Sequence, residues 1–124
     1  MKKTIALCLG LVFCASIAIA ANPANLKLKG WLVDNTCVVK HKADMASFVE
    51  VHDMSCARSC GKTSGFSLYS DRKIYPFAKS ETAKILKYFG ANFYNDTKVL
   101  VTPKNSGSQS QPALKILTLK ADKK

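Results

Sequence analysis

The chain has 124 residues, with 19 Lys and Arg against 8 Asp and Glu, 48% hydrophobic residues and five cysteines. This length excludes a multidomain enzyme, and an aromatic content of 9% with a mean hydropathy of zero argues against wholesale disorder. One small folded domain is expected.

The first twenty residues read as a secretory signal. Met1-Lys2-Lys3 is a basic start, Ile5 to Ile19 is almost wholly apolar, and Ala18-Ile19-Ala20 places small residues where a signal peptidase reads. The apolar run is about 15 residues, short of the roughly 20 that a bilayer core requires. Asn22 and Pro23 follow it at once. Cleavage is expected after Ala20, which leaves a periplasmic or secreted domain of residues 21–124 with no membrane anchor. Phe13 before Cys14 makes a poor acylation site, so Cys8 and Cys14 leave with the signal. Loss of Lys2 and Lys3 lowers the net charge from +11 to +9. Such a charge attracts anionic surfaces, including nucleic acid and envelope polymers, although the lysines recur singly, as on ordinary solvated faces.

Leu26 to Val33 alternates apolar and basic residues and then turns wholly apolar, the pattern of a strand with one face in a core. A Cys/His segment follows. Phe66 to Tyr69 and Lys73 to Phe77 form the arms of a hairpin turning at Ser70-Asp71-Arg72, and Pro76, lacking a backbone donor, requires the second arm to be an edge. Ser80 caps a helix carrying Ala83, Leu86 and Phe89 at helical spacing, with Ile85 broadening the stripe and Gly90 as the stop. Lys98 to Thr102 and Ala113 to Lys120 read as strands joined by the polar stretch 104–112. The order strand, insertion, strand, strand, helix, strand, strand predicts a mainly β, β-rich α+β fold: a small five-stranded OB-like barrel with a helical insertion after the first strand.

All cysteines and histidines of the mature chain fall within residues 37–60, as Cys37-x3-His41 and His52-x3-Cys56-x3-Cys60. Ser47 with Glu50 forms a capping-box pattern, Asp53 is a second candidate cap, and Gly61 can end the turn after Cys60. Residues four apart share a helix face, so Cys56, Cys60 and His52 would form a stripe that Cys37 and His41 meet from the preceding loop. Thiolate and imidazole donors suit zinc or copper, where Met45 and Met54 could add thioethers for Cu(I); they suit magnesium or calcium poorly. Cys37, His41, Cys56 and Cys60 are the candidate ligands, with His52 a further candidate that otherwise lies on the exposed face of its helix. Asp34 ends the first strand, where it caps the next turn or orients a ligand from behind.

An exported chain also meets an oxidising compartment. A disulfide from Cys37 to Cys56 or Cys60 would close a loop of about 20 residues and stabilise the domain by roughly 3 kcal/mol, with one thiol left over. Cys56 with Cys60 is disfavoured, because cysteines one helical turn apart point along the axis. A Cys-dependent redox enzyme is a further alternative, but no oxyanion hole or substrate pocket is marked.

The string Gly30-Trp31-Leu32-Val33-Asp34-Asn35-Thr36-Cys37, with His41, Cys56-x3-Cys60, Gly65-Phe66-Ser67-Leu68, Tyr75, Leu86, Gly90 and the closing Leu114 to Leu119 strand, resembles small exported bacterial proteins of unassigned function. Those share a G-x3-D-x2-C, H, C-x3-C, G-Y/F-x-L layout on an OB-like barrel. The resemblance implies that Asp34, Cys37, His41, Cys56 and Cys60 form one cluster, and it offers no counterpart for His52. The sequence departs from that layout near Ala91 to Asp96 and is extended over 104–112. The expectation is a non-enzymatic binding protein whose cluster holds a metal or braces a ligand-binding loop. The alternative is a basic module for nucleic acid or another anionic polymer.

Overall fold

The computed structural model describes residues 26–91, 97–104 and 113–122. Residues 1–25, which include the expected signal segment, and residues 92–96, 105–112 and 123–124 lie outside that description.

Five strands, β1 (Leu28–Asp34), β2 (Phe66–Ser70), β3 (Lys73–Pro76), β4 (Lys98–Pro103) and β5 (Ile116–Ala121), form one antiparallel sheet in the order β3-β2-β1-β4-β5. Helices α1 (Asn35–Lys40), α2 (Met45–Val51) and α3 (Met54–Ser64) fill the connection from β1 to β2. Helix α4 (Thr82–Ala91), entered through a 3-10 turn at Lys79–Glu81, lies between β3 and β4 in sequence. Helical and extended residues are comparable in number, so the chain is α+β. Among the described residues the outer strands form no closing ladder, and a parallel bridge, Phe77 with Leu114, links the segments beside them.

β1 divides its pairing: Leu28 to Trp31 face Val101 to Lys98 of β4, and Trp31 to Asp34 face Tyr69 to Phe66 of β2. At Gly30 the sheet comes so close that a Cβ would overlap the Tyr69 carbonyl, so glycine is required there. Alternation along β1 sends Leu32 and Val33 into different clusters. Leu32 joins Met54, Ala57, Phe66, Leu68, Ile85, Phe89, Val99, Val101, Leu114 and Ile116; Val33 joins Cys37, Met45, Val49 and Tyr69. Burying one such aliphatic side chain contributes about 1.5–3 kcal/mol, so β1 is anchored from both faces.

The hairpin forms as expected, with β3 at the edge where Pro76 needs no partner. Its turn, Asp71-Arg72, holds both residues at positive φ (48° and 61°), the backbone a two-residue hairpin demands. Other expectations shift. In α4 Ile85 and Phe89 are buried and Leu86 packs against the core as expected, while Ala83 faces solvent and the helix continues through Gly90 instead of stopping there. β5 starts at Ile116, with Leu114 and Ile116 buried but Thr118 exposed after a register shift at Thr102/Pro103. Gly61 does not end a helix. It lies inside α3, where a Cβ would overlap the Phe66 ring, and the helix runs to Gly65 at φ 81°.

Candidate metal centre

The sequence element Asp-x-x-Cys occurs twice, as Asp34-x-x-Cys37 and Asp53-x-x-Cys56, and each copy opens a helix. Asp34 holds extended backbone at the end of β1, and its Oδ1 accepts the Cys37 N–H at 2.9 Å. Asp53 does the same for α3, accepting the Cys56 N–H at 2.7 Å. Both thiols are thereby fixed in the first turn of a capped helix, each cap being worth about 1 kcal/mol.

Asn35 locks the start of α1 to the end of α3 and to β2. Its Nδ2 donates to the Ser64 carbonyl at 2.9 Å, its Oδ1 accepts from Ser67 Oγ at 2.7 Å, and its backbone N–H donates to the Gly65 carbonyl at 3.0 Å. The start of α1 is thus tied to the end of α3 and to β2. α3 in turn buries Met54, Ala57 and Gly61 against the sheet, which leaves its cysteines to one side.

Between the two caps, α2 ends at His52, whose extended backbone (ψ 114°) breaks the helix before Asp53. Met45 and Val49 bury the inner face of α2, and His52 continues that stripe three residues on. Its imidazole is therefore drawn inside, with 1% of the side chain exposed. There Nε2–H donates to Asp34 Oδ2 at 3.1 Å, and Nδ1 is buried with no hydrogen-bond partner. A buried polar atom without a partner costs about 1–3 kcal/mol and calls for a reason.

Asp34, Cys37, His52 and Cys56 each offer one ligand atom, and all four atoms lie within 4.8 Å of one another. Asp34, Cys37 and His52 are buried and Cys56 is exposed. Tetrahedral zinc with bonds near 2.0 Å to nitrogen or oxygen and 2.3 Å to sulfur needs donor separations of roughly 3.3–3.8 Å. Burial, then the hydrogen bond to Asp34 and its negative charge, pushes the Cys37 thiol up to about 12. The Cys56 thiol is also raised, chiefly by burial, with the Cys37 hydrogen bond acting against it and Cys60 and Asp34 adding to it. Without a cation, Cys37 stays a neutral thiol. A metal ion reverses that preference, because it stabilises the thiolate directly.

The structure thus brings Cys37 and Cys56 together as the sequence suggested, with Asp34 contributing a carboxylate oxygen in addition to its cap. It does not bring His41 in. His41 Nδ1 bonds both carboxylate oxygens of Asp44 at 3.2 Å, and its ring stacks on Phe48 at 3.8 Å between centroids. Phe48 also contacts the His52 ring at 4.8 Å. His52, a further candidate ligand whose alternative was an exposed helix face, takes the interior position, and the signal for it was the Met45, Val49, His52 spacing. Cys60 is half-buried one helical turn from Cys56 and outside the four-residue group. Met45 and Met54 are core residues of the two hydrophobic clusters. Cys37, Cys56 and Cys60 are all free thiols, so neither pairing considered from the sequence, Cys37 with Cys56 or with Cys60, is formed.

No family model, curated protein or solved structure matches this chain. Among the described residues no helix is long and apolar enough to cross a membrane.

Proposed function

We propose that this chain is a small exported, non-enzymatic protein that binds a transition metal, zinc or copper, on Asp34, Cys37, His52 and Cys56. The observation that carries this reading is the convergence of four donors from three separate helix ends, their ligand atoms all within 4.8 Å of one another. Two sulfurs with an imidazole and a carboxylate match the donor preference of zinc and of softer ions rather than of magnesium or calcium. A thiol held protonated at neutral pH is a poor nucleophile, which favours binding over Cys-dependent catalysis.

The sheet order, and the parallel bridge between the segments flanking β3 and β5, support an OB-like barrel formed by residues 21–124 as one domain. In such a barrel the metal site occupies the connection between the first two strands, one of the two loops that OB-folds commonly use for ligands. The basic, apolar and small-residue succession of residues 1–20 supports export to the periplasm or beyond. The Gly30 to Cys37 string and Cys56-x3-Cys60 support kinship with the small exported bacterial proteins named above, with His52 in the place expected for His41.

Metal analysis of protein purified from its native compartment tests the reading, together with intact mass after thiol alkylation. One zinc or copper per chain, and three alkylatable cysteines once the metal is chelated, are expected. Absence of metal with two cysteines protected as a disulfide would refute it.

A further inference from the structure

Between α1 and the β2–β3 hairpin the protein opens into a cleft of about 490 Å³, within the roughly 300–1,000 Å³ of small-molecule sites. Its lining joins Val39 and Ile74, 79% and 37% exposed, to buried Met45 and Tyr69 of the second hydrophobic cluster. Ile74 pairs with Tyr69 across the hairpin, so this apolar lining is continuous. Two cations line the cleft as well: Lys42, just beyond α1, and Arg72, in the hairpin turn. No acidic residue lines it, and neither cation makes an ion pair among the described residues; Asp44, two residues from Lys42, is engaged by His41. Tyr69 is 7% exposed, yet among the described residues its hydroxyl makes no hydrogen bond, where a buried phenol usually finds a partner. Arg72 holds φ 61°, a backbone that glycine adopts at lower cost, so the turn by itself does not call for arginine there.

We propose that this cleft binds a fatty acid, its apolar lining taking the single chain and Lys42, Arg72 and the Tyr69 hydroxyl taking the carboxylate. The site is separate from the metal centre and does not depend on it. Apolar surface beside unpaired cations selects an amphiphile. A wholly polar anion would leave Val39, Met45 and Ile74 against water, and a neutral hydrocarbon would gain nothing from the two charges. A carboxylate suits the head group because a guanidinium fork pairs both of its oxygens in parallel. The volume lies toward the lower end of the usual range, which suits one chain rather than the two of a membrane phospholipid. Lys42 and Arg72 also raise the local concentration of an anion before it docks.

The test titrates the purified mature protein, its metal content left unchanged, with decanoate below its micelle concentration and records the heat by calorimetry. Saturable binding of one decanoate per chain is expected, with neutral 1-decanol weaker by about tenfold or more. Lys42→Ala with Arg72→Gly is expected to weaken decanoate by about tenfold or more, and glycine at φ 61° keeps the hairpin turn. Val39→Glu places a carboxylate in the cleft at a position 79% exposed, where the fold tolerates it, and is expected to abolish binding. Lys62→Ala with Lys79→Ala removes the same charge from a different cleft and is expected to change affinity by less than about threefold. Absence of saturable decanoate binding, equal affinity for decanoate and 1-decanol, or equal losses from the two double variants would overturn the inference. So would binding confined to vesicles of phosphatidylglycerol, which would assign the charge to a membrane surface instead.

Discussion

Asp34 joins three features of the chain, and its removal gives the sharpest test of the site. It ends β1, caps α1 through Cys37 N–H and holds His52 Nε2–H, all with none of its surface exposed. Asp34→Ala deletes the cap, costing about 0.5–2 kcal/mol. It also strands the buried His52 donor, costing about 1–3 kcal/mol. Relief of carboxylate desolvation offsets part of this, but the donors it served stay behind, so the offset is incomplete. The net expectation in the presence of chelator is a loss of about 2–4 kcal/mol, near 10–20 °C in Tm for a domain of this size. Asp34→Asn keeps an oxygen for Cys37 N–H and meets His52 less well, so about half that loss is expected. Urea unfolding with chelator measures both variants, with a shift in midpoint and an unchanged slope. With zinc added, Asp34→Ala is expected to lose affinity at least tenfold. An Asp34→Ala midpoint within about 0.5 kcal/mol of wild type would refute the claim that the carboxylate organises these elements.

The two histidines separate cleanly by their positions. His52→Ala is expected to weaken zinc binding beyond the roughly 10–100-fold typical of outer-sphere changes, while His41→Ala, on Asp44 and Phe48, leaves affinity within about threefold; competition titration decides, and the reverse order would relocate the site. Gly61→Ala places a Cβ against the Phe66 ring, and although alanine favours helix by about 1 kcal/mol, overpacking of about 1–3 kcal/mol is expected to win. Stabilisation in a thermal melt would show that α3 lies farther from β2. With chelator, stability is expected to fall as pH rises above about 9. The unfolded Cys37 thiol then loses its proton while the folded one holds it until about 12, so proton binding favours the folded chain less and ionisation favours the unfolded one. The slope approaches about 1.4 kcal/mol per pH unit from this group, and Cys37→Ala is expected to lack it; equal slopes in both proteins would contradict the buried thiol.

Much of the site was legible because its chemistry is local in sequence. Cysteines and histidines confined to residues 37–60, and an aspartate three residues before two of the cysteines, are visible without coordinates. The choice between His41 and His52 was not. Position His41 beside Cys37 in sequence favours it by proximity, but α1 ends at Lys40 and the chain turns, which sends the ring onto Phe48. His52 lies fifteen residues from Cys37 and reaches Asp34 only because Met45 and Val49 dock α2 against Val33 and Tyr69. Helical spacing within one segment cannot report a contact made through a second hydrophobic cluster.

The sequence by itself marked five strands to within a few residues, the edge position of Pro76, the hairpin turn and two aspartates as candidate caps, because each follows from local backbone chemistry or from the period of apolar residues. Tertiary structure decided which imidazole turns inward, why Gly61 lies within a helix, and which cysteine faces solvent. Those outcomes depend on packing between separate elements: the Phe66 ring of β2 against α3, and Asn35 joining the start of α1 to the end of α3. Burial is a property of the assembled neighbours, so no window of sequence contains it.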